Sequence, residues 1–144
     1  MTTLGKLLRL PRSDQRLLVT AVILLPAIKL GMTLLSYREL RSLVDRAARA
    51  TRSPRNTPRA SPERIAWAVE RAGHCVPGAT CLTQALVAKV LLERRGYSTL
   101  VRVGFTRTNG DEPLAHAWVE SDGRVVLGGS ELRQYTPLLL EKEC

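Results

Sequence analysis

A chain of 144 residues with 44% hydrophobic but only 4% aromatic side chains has length for one modest core of Leu, Val, Ala and Ile, which argues against a multi-domain protein. Its net charge of +9 favours an acidic partner: nucleic acid, an anionic membrane surface or an acidic peptide. Three cysteines, Cys75, Cys81 and Cys144, are an odd number with no CxxC pair, which excludes a disulfide framework and fits a reducing cytoplasm.

The first apolar run, Leu17 to Leu35, spans nineteen residues with a single charge, Lys29, and one proline, Pro26. Basic residues precede it, as in a signal peptide, but no small-residue cleavage site follows. Lys29 and Pro26 argue against a simple membrane span. The run therefore reads as a buried helix, with peripheral membrane contact through residues 17–35 as the alternative. Ser13 is the expected cap of this helix and Asp14 its first acidic residue. Because the run is apolar almost all round, cover is expected on several sides. Gly31 and Thr33 are expected to loosen or end it. Ser36-Tyr-Arg-Glu39 reads as a capping box for a second helix with Leu40, Leu43, Val44 and Ala47 on one face. Residues 1–50 thus form a helical hairpin, and the basic, proline-containing stretch 51–61 a linker.

The remaining residues, 62–144, carry the candidate chemistry. Ser61-Pro62-Glu63 restarts a helix, and Gly73 to Ala79 breaks it. Thr80 caps the next helix, placing Cys81 in its first turn, and Arg94, Arg95 and Gly96 close it. The hydrophobic period then switches to two, which predicts a strand from Tyr97 to Phe105. A loop with Asn109-Gly110 follows, then strands Leu114–Glu120 and Arg124–Leu127 joined at Ser121-Asp122-Gly123. The tail, Glu131 to Cys144, holds an apolar Pro-Leu-Leu-Leu cluster between charges. Helices followed by an antiparallel sheet make an α+β fold, with the Cys81 helix packed on the sheet.

A thiol at a helix start and a histidine in a strand are the parts of a cysteine nucleophile with its base. A free thiol is mostly protonated at neutral pH and needs activation. Unpaired N–H groups at a helix start favour the thiolate and can hold an oxyanion. His116 would accept the thiol proton and return it to the leaving amine. The same two residues also fit a core cysteine and a hydrogen-bonded strand histidine. Cys75 beside His74 is a second thiol, in a stretch with no helix start to activate it, and Cys144 is incidental. His74, Cys75, Cys81 and His116 follow no metal-ligand spacing, so neither metal nor cofactor is expected. The arginine-rich region lacks aromatic interleaving and any groove-reading motif, which disfavours nucleic acid.

The series Cys81-Leu-x-Gln-Ala-Leu86, Leu91-Leu-x-Arg-Arg-Gly96, Val101-x-Val-Gly104, Ala115-His-Ala-Trp-Val-Glu120 and Asp122-Gly-Arg124 resembles the lasso-peptide leader peptidases. These are B-type maturation proteins in the transglutaminase-like, microcin-processing group. Arg9-Leu-Pro-Arg12 and the Leu-rich hairpin resemble the N-terminal part of stand-alone members. The resemblance implies a papain-like cysteine peptidase that frees the core amine of a ribosomally made precursor. A separate ATP-dependent cyclase would then close the macrolactam. A small leader-recognition protein would hold the leader, since the chain is short enough to lack that domain. Carried over, Cys81 is the nucleophile and His116 the base. The resemblance also implies an acid roughly a dozen residues past the histidine, on the neighbouring strand. The hairpin sets Gly128 and Gly129 there, which leaves Asp122 and Glu131 as candidate acids, or a backbone carbonyl or water in their place. Arg38, Arg41, Arg46, Arg49, Arg52, Arg55 and Arg59 are candidates to dock an acidic leader or partner, with a solvated basic face as the alternative. Alternative readings are a transamidating acyltransferase of the same fold and a non-enzymatic module binding precursor or membrane.

Overall fold

In the computed structural model, residues 5–6, 8–50, 60–107, 113–128 and 136–138 are described. Among the described residues, the helices ahead of the strands are α1 (Arg12–Leu34), α2 (Tyr37–Ala50), α3 (Pro62–Cys75) and α4 (Cys81–Arg94). β1 (Thr99–Arg107), β2 (Pro113–Ser121), β3 (Arg124–Leu127) and β4 (Thr136–Leu138) form one antiparallel sheet in the order β3-β2-β1-β4. The fold is α+β.

Local chemistry sets most helix starts. The Ser36 hydroxyl accepts from the Glu39 N–H while the Glu39 carboxylate accepts from the Ser36 N–H, a reciprocal capping box ahead of α2. Ser61 accepts from the Arg64 N–H, with Pro62 at the first helical position of α3. α1 departs from expectation. It starts at Arg12 behind Pro11, no side chain caps it, and it runs through Pro26 and past Gly31 to Leu34. Gly31 lets the start of α2 come close: a Cβ there would lie 2.7 Å from Leu40 Cδ1.

Asp14 does more than sit in the first turn of α1. Its carboxylate is hydrogen-bonded and ion-paired to the Arg64 guanidinium of α3, fifty residues away. That hydrogen bond holds the Asp14 carboxyl below its ordinary range, against the opposing effect of burial. The pair therefore stabilises the fold fully above the unfolded carboxyl value of about 3.9. Its contribution is lost as pH falls through the lower folded value. Thermal melts of the wild type and Asp14→Ala check this. The variant should melt lower at neutral pH, and the two curves should converge only at the acid end.

The core is one cluster. Leu17, Leu25, Ile65, Val69, Leu86, Leu91, Val101 and Val119 are all fully buried within it, so the N-terminal helices and the sheet share a single interior. α4 is its axis, packed against the other three helices and against β1 and β2. Even Lys89 of α4 is buried, its ammonium 2.6 Å from Glu93 and 3.6 Å from Asp45 of α2. The hairpin reading needs refinement: α1 packs mainly on α3 and α4, and α2 mainly on α4. Residues 51–59 of the expected linker lie outside the described residues.

α1 is long and apolar enough to cross a membrane, yet only 28% of its most apolar window is buried. Leu17, Leu18, Ala21, Leu25 and Ile28 enter the core, while Val19, Val22, Ile23, Leu30 and Leu34 form an exposed apolar flank. The expected cover on several sides is present on one.

Candidate active site

Cys81 is the first residue of α4, and Thr80 is its N-cap in extended conformation. The Thr80 Oγ1 accepts from the Thr83 N–H at 3.2 Å, and the Thr80 carbonyl from the Gln84 N–H at 3.0 Å. Thr83 is itself buried, in hydrogen-bond contact with Thr80 through its hydroxyl and with Met32 Sδ of α1. These contacts anchor the first turn from both sides. Among the described residues, the N–H groups of Cys81 and Leu82 have no intrahelical acceptor, as expected at a helix start. Cys81 is half-buried, its side chain against the edge of the core. The site therefore has a thiol, two main-chain donors and the positive end of a 14-residue helix at one place.

Removing the cap should be felt in both stability and turnover. Thr80→Ala is expected to lower stability by about 1 kcal/mol. It should also slow catalysis by loosening the turn that carries the thiol, while Thr80→Ser stays near wild type. Denaturant titration and turnover measured on the same preparations check both effects.

His116 lies on β2, opposite Gly104 of β1. Its Nε2 is 2.7 Å from the carbonyl oxygen of Gly128, twelve residues on and just past β3. A carbonyl can only accept, so Nε2 carries the proton and the ring lone pair resides on Nδ1. The ring stacks on Trp118, with centroids 6.2 Å apart and planes 23° apart. Trp118 is buried, and its Nε1–H donates to Glu120 at 3.2 Å. Glu120 in turn pairs with Arg102 of β1 at 3.0 Å. Ala117 and Val119 belong to the helical core, so His116, Trp118 and Glu120 line the other face of β2.

The other sequence candidates fall elsewhere. Asp122 is exposed in the two-residue turn between β2 and β3, with φ 50° beside Gly123 at φ 78°. It lies beyond Ser121, so five residues of extended strand, about 17 Å, separate the turn from His116. Glu131, Gly129 and Cys144 lie outside the described residues. Cys75 is corrected: α3 does not break at Gly73 but runs through to Cys75, whose exposed thiol sits at the carbonyl end of the helix. That end disfavours a developing negative charge. Among the described residues no three His, Cys, Asp or Glu side chains gather to hold a metal ion.

Two contributors lie outside the catalytic side chains expected from the sequence. One is the Gly128 carbonyl, a main-chain atom. The other is Trp118 as a wall for the imidazole, whose only sequence signal is its i+2 spacing from His116.

These features define an α+β protein with a thiol at a helix start and, on the sheet against which that helix packs, an imidazole oriented on the face turned from the helical core. A family model described as the transglutaminase-like superfamily matches residues 24–140, and the chain belongs to that superfamily. Its members are typically cysteine peptidases or acyltransferases. No curated protein and no solved structure matches the chain.

Proposed function

We propose that this protein is a cysteine peptidase that removes the leader from a ribosomally synthesised lasso-peptide precursor, with Cys81 as nucleophile and His116 as base. The observation that carries the reading is the 2.7 Å contact between His116 Nε2 and the Gly128 carbonyl oxygen, which in a neutral ring leaves Nδ1 as the proton acceptor. The thiol at the head of α4 and the membership of the superfamily support it. The ordered residue series shared with the leader peptidases supplies the substrate class.

In this reading the Cys81 Sγ attacks the scissile carbonyl carbon as its proton passes to His116 Nδ1. The carbonyl oxygen becomes an oxyanion held by the Cys81 and Leu82 N–H groups. Collapse breaks the C–N bond, and the leaving amine takes the proton from His116. Water, deprotonated by His116, then attacks the thioester carbonyl; the C–S bond breaks, the Cys81 sulfur takes the proton back from His116, and the leader carboxylate is released. Ala117 and Val119 occupy the core face of β2 and His116 the other, so proton transfer requires a rearrangement that carries the imidazole to the thiol at the head of α4.

The freed core amine would pass to a separate ATP-dependent cyclase. A small leader-recognition protein would present the leader, with the arginines of α2 as a docking face for its acidic residues. The cytoplasm is the proposed compartment, with the exposed apolar flank of α1 as the surface for membrane contact.

The test incubates the protein with precursor and leader-recognition protein and analyses the products by mass spectrometry. Release of intact leader and core by water addition is expected. Incorporation of an added amine in place of water would point to the transamidase alternative. Binding of precursor without any covalent change would overturn the enzyme.

A further inference from the structure

We propose that the main-chain carbonyl of Gly128 fixes the tautomer and direction of the His116 imidazole, which makes residue 128 a positioning residue at which only glycine serves. This rests on the peptidase reading for its catalytic consequence, but the geometry of the ring stands apart from it.

Three observations carry the inference. The first is the 2.7 Å contact from Nε2 to the Gly128 oxygen. An acceptor with no proton of its own leaves the ring one neutral form, Nε2–H with its lone pair on Nδ1. A neutral carbonyl supplies direction without adding a full negative charge beside the ring.

The second is the backbone of Gly128, whose φ of 77° lies in the left-handed region. A Cβ added there would stand 2.9 Å from the Ala117 carbonyl oxygen, 3.2 Å from Trp118 Cβ and 3.3 Å from Trp118 Cα. None of these atoms is the tip of a flexible side chain. The clash can be relieved only by shifting the strand end that carries the carbonyl.

The third is the support on the other side of the ring. Trp118 stacks on His116 and is itself tied through Glu120 to Arg102. With its face against Trp118 and one nitrogen on Gly128, the ring has both its plane and its rotation set. Displacement of only one of these constraints leaves the imidazole near the site but misdirected, which removes turnover more than binding.

The experiment uses the whole chain with 15N-labelled histidine rings and long-range 1H–15N correlation spectra. His74, the other histidine, is identified by its loss in His74→Gln. In alkaline buffer His116 is expected to show protonated Nε2 and unprotonated Nδ1; a protonated Nδ1 would overturn the proposal. Gly128→Ala is expected to give a mixed tautomer signal and to lower kcat about 100-fold with KM within a few-fold. A single Nε2–H tautomer with wild-type kcat in that variant would also overturn it. Should Gly128→Ala not fold, the wild-type spectrum decides alone. Loss of the peptidase reading is separately visible: turnover would survive Cys81→Ala whatever the tautomer proves to be.

Discussion

Replacing Cys81 with alanine is expected to reduce the proposed leader cleavage at least about 10⁴-fold, to the level the remaining binding groups sustain. The substitution removes the only atom in the proposed site able to form a thioester. The Thr80 cap, the Thr83 contact and the helix-start donors all remain. Precursor binding and the far-ultraviolet circular dichroism should therefore be unchanged. Cys81→Ser should be almost as inactive, because a hydroxyl is a far poorer nucleophile with the same base. Cleavage is best followed by mass spectrometry with the leader-recognition protein present, so that failure to present substrate is not mistaken for failure of chemistry. Cleavage that persists in Cys81→Ala, and disappears instead in Cys75→Ala, would move the nucleophile to the end of α3.

The largest effect on stability is expected from Leu86→Ala. Leu86 is fully buried on α4, and α4 touches every other helix and the two long strands. Truncation removes three carbons from a position with no route for solvent or backbone to fill the space. A loss of about 2–5 kcal/mol follows, out of a total of roughly 5–15 for a domain of this kind. Urea titration should show the midpoint moving down with its slope unchanged. A shift under about 0.5 kcal/mol would mean that α4 is not packed as described. Leu82, half-buried one turn earlier, offers a milder comparison.

The contrast between these two sites reflects what a sequence can carry. Signals that act over three or four residues were legible. The Ser36–Glu39 box, Ser61 with Pro62 and the Thr80 cap appear where their letters place them. The period-two runs gave β1, β2 and β3 to within two residues, and Asp122-Gly123 gave the turn. Interactions between distant segments were not legible. Nothing near Asp14 announces Arg64, and the uncapped start of α1 has no local mark. β4 was missed because three residues containing a proline have no periodicity; it is set by the edge of β1, where Pro137 stands opposite Gly104. The helix bearing Cys75 was ended too early because Gly73 reads as a breaker, although its bare Cα accommodates Gln84 of α4. At the candidate site Cys81 and His116 are visible as letters. The acceptor for the imidazole is the peptide oxygen of Gly128, the position the hairpin sets opposite His116 and one of the alternatives left open where no acid stands.

The order of the sheet has a consequence for the fate of the chain in concentrated solution. Its two outer members are β3 and β4, of four and three residues, flanking the nine-residue pair at the centre. Among the described residues, these two edge strands offer few open amide positions to another molecule, and Arg124 and Pro137 lie on them. Self-propagating strand addition, the usual route from a β-containing enzyme to fibrils, finds little to template upon here.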